Sequence, residues 1–176
     1  TPLYSSAASD VYKRQLESCY AEDCDPVDGE KIFQAIRNGQ LLSTFDQKVL
    51  ASGLMFFFGE LDAGKGWTKQ LHLGALRNTN RRLFYEKGPD IGCDSIGDFP
   101  QAESLARYLS MLNENNALPQ MILYNLNPAD NYLFASMAAN FQQGPGAGKI
   151  QFGSGWWHLD PVSYTHLTLP RIERCR

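Results

Sequence analysis

"PQMILYNLNPADN", residues 119–131, decides the fold class. Met121 to Leu126 is a nearly continuous apolar run, the pattern of a strand covered on both faces. Asn127-Pro128 then offers a helix N-cap followed by a proline at the first helical position, with Asp130 two residues on. A buried strand that turns directly into a capped helix is the βα unit of a parallel sheet.

The same alternation continues in both directions. Downstream, "ADNYLFASMAANFQ" reads as the helix, "GPGAG" (144–148) breaks it, and "KIQFGSGWW" returns as a strand. Upstream, "DFPQAESLARYLSMLNENN" (98–116) predicts a helix with Pro100 near its first position and Leu105, Leu109 and Leu112 inside. Asp98 is read there as a cap. Before it, "WTKQLHLG" (67–74) has Trp67, Leu71 and Leu73 at strand spacing. "STFDQKVLASGLMFFFGELDAGKG" (43–66) predicts a helix capped by Ser43 or Thr44, with Phe45, Val49, Leu50, Leu54 and Phe57 along its inner face. "DPVDGEKIFQAIRNG" (25–39) predicts another, ending in Arg37 and Gly39. The expected class is α/β, with three strands in parallel βα units.

Composition sets the outer bounds. The 176 residues suffice for one sizeable core, and 43% hydrophobic with 20% charged residues is ordinary for a soluble chain. No apolar run approaches the ~20 residues of a membrane span. A net charge of −3 points away from a nucleic-acid partner. Four cysteines at 19, 24, 93 and 175 are irregularly spaced and fit isolated thiols in a reducing, cytoplasmic compartment better than zinc or disulfides.

The ends differ from the middle. "SSAASDVYKRQ" (5–15) resembles the in-frame translation of a common sequencing-library adapter, and "VSYTHLTLP" (162–170) resembles the same adapter read from the opposite strand. The expectation is therefore three segments: an adapter-derived tail over 1–15, a native segment over 16–160, and a second tail over 161–176. Setting the tails aside removes five basic and two acidic residues, so 16 and 19 become 11 and 17 and the net charge becomes −6. On this expectation "GSGWWHLDPVSYTH" (153–166) is two pieces joined, and His158, Asp160 and His166 form no metal site.

Three stretches carry candidate chemistry. In "QLHLGALRNTNRR" (70–82), His72 ends a predicted parallel strand and Arg77 follows in the next loop. Ligand sites gather at the carboxyl ends of such strands. A histidine there can move protons and an arginine can grip a carboxylate; a buried histidine and a solvated arginine would leave the same spacing. In "KGPDIGCDSIGDFP" (87–100), Asp90, Asp94 and Asp98 could surround a cation or serve as turn and cap residues. In "FGSGWW" (152–157), the tryptophans fit a core or a sugar-stacking wall. "GPGAGK" (144–149) is one residue short of a phosphate loop, has Ile150 where Ser or Thr is required, and follows a helix where a strand belongs; it is a turn.

"HLGALRN", "GPDIGCDSIGDFPQAE", "ILYNLNPADN" and "GKIQFGSGWW", in this order and spacing, resemble the bacterial uronate (glucuronate) isomerases over nearly all of 45–157. The resemblance implies part of a (β/α)8 TIM barrel of the amidohydrolase superfamily. It implies an aldose–ketose isomerase that interconverts D-glucuronate and D-fructuronate, and D-galacturonate and D-tagaturonate, by moving a proton between C2 and C1. It implies catalytic roles for His72 and Arg77, and substrate binding by Arg77, Trp156 and Asp94. Cys93 stands where the family usually has phenylalanine, and His158-Leu159 where Phe-Asn is more typical. The family's early His-x-His and late Asp-x-Arg motifs are absent. A divalent metal such as zinc in the parent enzyme would thus have its ligands outside this chain. The chain alone is expected to be inactive, its partner a uronic acid, and its parent compatible with a homo-oligomer. A metal-dependent hydrolase of the same superfamily and a non-catalytic carbohydrate-binding fragment are the competing readings.

Overall fold

The computed structural model describes residues 16–23, 26–89, 91–142 and 148–153. They fall into two compact units. One comprises 18–23, 26–69 and 100–120; the other comprises 16–17, 70–89, 91–99, 121–142 and 148–153.

The first unit is helical. Helix α1 (Pro26–Arg37) packs on α2 (Thr44–Lys65), which packs on the later helix Ala102–Glu114. The capping residues set the length of α2. Ser43 accepts the Asp46 N–H at 3.1 Å and donates its hydroxyl to the Asp46 carboxylate at 2.6 Å. At the other end Gly66 takes the left-handed conformation (φ 66°), and the Trp67 N–H reaches back to the Asp62 carbonyl at 2.9 Å.

Of the expected inner face of α2, Val49 is buried, but three other members are not. Phe45, Leu54 and Phe57 are exposed, whereas Val49, Ser52, Gly59 and Asp62 are buried. The helix is apolar on almost every side, so periodicity cannot single out one face. Close approach decides instead. A Cβ on Gly59 would stand 2.7 Å from Leu112 Cδ2, so glycine lets that side chain approach without shifting. Ser52 accepts the Glu22 N–H at 2.9 Å, and the Tyr108 hydroxyl donates to the Met55 carbonyl at 3.2 Å. Asp62 receives the Lys69 ammonium at 2.8 Å, a pair almost wholly removed from solvent.

Strand β1 (Thr68–Leu73), whose residues from Gln70 on belong to the second unit, buries Lys69, Leu71 and Leu73 on one face. It is followed by β2 (Ala75–Leu76), helix α3 (Arg81–Lys87) and β3 (Ser95–Ile96), which pairs antiparallel with β2. Neither short strand was anticipated. The helix Ala102–Glu114 is α4. It starts at Ala102 with Gln101 as N-cap, so Asp98 is not its cap and Pro100 lies outside the first turn. Leu105, Leu109 and Leu112 are fully buried, as expected.

Strand β4 (Gln120–Asn125) buries Met121, Leu123 and Asn125 on one face and half-covers Ile122 and Tyr124 on the other. Asn125 holds the turn that follows, donating to the Asn127 carbonyl and, at 3.0 Å, to Asn131 Oδ1. Asn127 caps a 3-10 turn (Pro128–Asp130) by accepting the Ala129 N–H at 3.1 Å, and the chain enters α5 (Asn131–Asn140). Strand β5 (Ile150–Phe152) then pairs parallel with β4 in the register Met121↔Ile150, Ile122↔Gln151 and Leu123↔Phe152. The sheet order is β1-β4-β5. The fold is α/β, and β4-α5-β5 is the βα unit that residues 119–131 announced.

Candidate functional site

The site is built where β1 ends. Leu73 closes the strand, and its carbonyl accepts the Leu126 N–H at 3.0 Å. Gly74 then turns the chain at φ 97°, a conformation that glycine adopts without strain. Within the strand, alternation puts His72, between buried Leu71 and Leu73, on the half-covered face of the sheet. Its ring meets Tyr124 of β4 edge-on, with centroids 5.4 Å apart and planes at 67°. Next in the same row comes Gly153, after β5, where a Cβ would stand 2.6 Å from the Tyr124 ring. Burial holds the His72 imidazole below its ordinary pKa range, because desolvation penalises the charged form. The ring is therefore a neutral imidazole at neutral pH, the form that can accept a proton.

Arg77 leaves β2 under tight control. Its Nη1 donates to Asp94 Oδ2 at 2.5 Å. The next N–H, from Asn78, donates to Asp94 Oδ1 at 2.9 Å, with Asn78 in the left-handed region (φ 53°). Thr79 donates both its N–H and its hydroxyl to the Cys93 carbonyl, each at 2.8 Å. Asn80 then caps α3 by accepting the Leu83 N–H at 3.2 Å. The departure from the resemblance at Cys93 is structurally mild, since that residue reaches the site-bearing loop through its backbone carbonyl.

The expected residues thus divide. Arg77 and Asp94 form an ion pair, and His72 precedes them on the same βα connection. Asp98 is exposed and lies apart from the ion pair's hydrogen bonds; its charge, after desolvation, helps hold the Asp130 carboxyl above the usual range. Trp156, Asp90, His158, Asp160 and His166 lie outside the described residues. Tyr124 and Gly153 escaped the sequence reading. Their only trace was the alternation within "MILYN", which puts Tyr124 opposite the core-facing side.

The resemblance brings a divalent metal with it. Among the described residues, no three His, Cys, Asp or Glu side chains gather into a set that could hold one. Asp94 gives both oxygens to residues 77 and 78, and the His72 ring is stacked edge-on against Tyr124. These residues do not make a metal centre.

The sequence profile of glucuronate isomerase matches residues 3–168, a span that enters both end segments. Over 145 residues the chain is 59% identical to the uronate isomerase of Opitutus terrae and 51% identical to that of Solibacter usitatus. Each alignment covers 82% of this chain and 31% of the relative, so the chain spans about a third of the length of the curated relatives it matches. Among solved structures, a uronate isomerase from Thermotoga maritima superposes with a TM-score of 0.74 at 25% identity, covering 92% of this chain and 34% of that one. The glucuronate isomerase from Caulobacter crescentus superposes with a TM-score of 0.70 at 18% identity, a likeness of fold alone, over 92% of this chain and 32% of that one. With a family profile matched along most of its length, this chain belongs to the glucuronate isomerase family.

Proposed function

We propose that the chain is part of an aldose–ketose isomerase that interconverts D-glucuronate and D-fructuronate, and D-galacturonate and D-tagaturonate. The observation that carries this reading is the 59% identity to a uronate isomerase over 145 residues. The reaction transfers a proton between C2 and C1 of the open-chain sugar. It needs a group that moves the proton, stabilisation of charge on the carbonyl oxygen, and a grip on the distal carboxylate. His72, held neutral by desolvation, suits proton movement or a hydrogen bond to the reacting oxygens. Arg77 suits an anionic oxygen of the substrate, because guanidinium offers planar, paired donors. Trp156 lines the pocket in this reading, and Asp94 enters it through Arg77.

The same proposal includes a partial (β/α)8 barrel, a cytoplasmic and homo-oligomeric parent, and a divalent metal held by ligands that the rest of the parent supplies. It keeps 1–15 and 161–176 as adapter-derived, on the strength of two ends matching one adapter in opposite orientations. The isolated chain is inactive in this reading, since it lacks the His-x-His and Asp-x-Arg motifs.

The test is an assay of D-glucuronate conversion, followed by reduction of the ketose product, on the full-length gene product and on the 176-residue chain. Turnover by the full-length protein alone is expected. No turnover by the full-length protein overturns the reading, and turnover by the isolated chain overturns its last part. Sequencing the flanking genomic DNA decides the end segments.

A further inference from the structure

The run that carries Arg77 is clamped along its length by one other run. The Gly97 N–H donates to the Gly74 carbonyl at 2.8 Å. Ala75 and Leu76 pair with Ile96 and Ser95 in the β2–β3 ladder. Arg77 and Asn78 are both held by the Asp94 carboxylate, and Thr79 is held by the Cys93 carbonyl. Residues 74–79 and 93–97 thus form a continuous antiparallel zipper. Four of its rungs are backbone contacts that many side chains would tolerate. The rung at Asp94 depends on its own side chain.

We infer that Asp94 is a positioning residue, which aims the Arg77 guanidinium and sets the backbone beneath it, and that it does not itself bind the substrate. The inference rests on the reading of Arg77 as the group that grips the substrate anion, and it replaces direct substrate binding by Asp94. Three observations support it. Both carboxylate oxygens accept hydrogen bonds from the protein, one from Arg77 Nη1 and one from the Asn78 N–H. A carboxylate engaged with a guanidinium offers no donor to the carboxylate of a uronate. The pair is largely shielded, with Asp94 at 15% and Arg77 at 22% side-chain exposure, so it is less screened than a surface pair. Guanidinium carries five N–H donors in a rigid fork, so fixing one arm fixes the direction of the others.

The experiment is steady-state kinetics on the full-length enzyme with D-glucuronate, comparing wild type, Asp94→Asn, Arg77→Gln and the double variant. Asp94→Asn keeps an acceptor for the Asn78 N–H and removes the charge that holds Arg77. Its KM should rise about tenfold, the scale of one charge-assisted hydrogen bond, with kcat nearly unchanged. A purely structural role would instead lower the active fraction, and so kcat, at constant KM. In the Arg77→Gln background the further cost of Asp94→Asn should vanish, since its effect runs through Arg77. A silent Asp94→Asn, or a cost that adds in full to that of Arg77→Gln, overturns the inference while leaving the Arg77 reading intact. An Arg77→Gln variant as active as wild type overturns both. Should Asp94→Asn not fold, Asp94→Glu keeps the charge at a longer reach and must show the same non-additivity with Arg77→Gln.

Discussion

The imidazole of His72 and the phenol ring of Tyr124 meet edge to face across neighbouring strands, with centroids 5.4 Å apart. The contact removes water from one side of the imidazole, and Gly153 makes room for the tyrosine that provides it. Burial lowers the His72 pKa, and Tyr124 on the neighbouring strand is one of the groups that cover its ring.

Replacing Tyr124 with alanine should readmit water and raise the His72 pKa toward its ordinary value near 6.5. Tyr124→Phe keeps the ring and should leave it low. Gly153→Ala should behave like a milder Tyr124→Ala, because the new Cβ drives the ring away from 2.6 Å. NMR titration of the imidazole C–H signals reads all three. An unchanged His72 pKa in Tyr124→Ala would sink the idea.

Stability should depend on pH through the same histidine. Its folded pKa lies below its unfolded pKa. As pH falls through the unfolded value near 6.5, the unfolded chain takes up the proton first, so the folded state loses stability until the folded pKa is passed. Above about pH 7 this contribution is constant. Urea midpoints between pH 7.5 and 5 should fall in the wild-type chain and fall less in His72→Asn, a comparison that isolates this residue from other acid-sensitive groups.

The Lys69–Asp62 pair offers a third test. Both side chains are almost completely buried, and their charged atoms stand 2.8 Å apart. Asp62→Ala strands an ammonium away from water and should cost about 3–5 kcal/mol. Lys69→Met combined with Asp62→Leu removes both charges and should restore most of that loss. Chemical denaturation of the two variants measures the difference. Equal stabilities would show that the ammonium finds water when its partner is gone.

Thiol chemistry should separate two cysteines. Cys19 is buried, and desolvation pushes its thiol far above the ordinary range, against a smaller opposing effect of Lys69. The thiolate is the reactive species, so Cys19 should be the slower to alkylate at pH 8. Cys93 is half-exposed and free, so it should react earlier. Peptide mapping after timed labelling reads each site separately; faster modification of Cys19 than of Cys93 in the native chain would contradict this packing.

The sequence by itself determined the pieces that short-range chemistry controls. Ser43 and Gly66 mark the ends of α2 because capping acts within one helical turn. Asn127-Pro128 marks the passage from β4 to α5 because an asparagine side chain and a proline ring restrict only their immediate neighbours. The run from Met121 to Leu126 announced a buried strand because burial needs apolar residues wherever the chain lies. The order of these pieces was enough for an α/β reading, and their long motifs were enough for the family. Other features needed tertiary structure. Which face of α2 is buried was settled by the close approach of Leu112 to Gly59, and an all-round apolar helix does not encode that choice. Lys69 on a core-facing position of β1 makes sense only once Asp62 is beside it. Asp94 read equally well as a turn residue or a cation ligand until β2 and β3 paired and brought it to Arg77. The lowered pKa of His72 comes from burial, to which a ring on a strand far away in the chain contributes cover. Each of these depends on contacts between distant residues, and local periodicity carries no information about which distant residue will arrive.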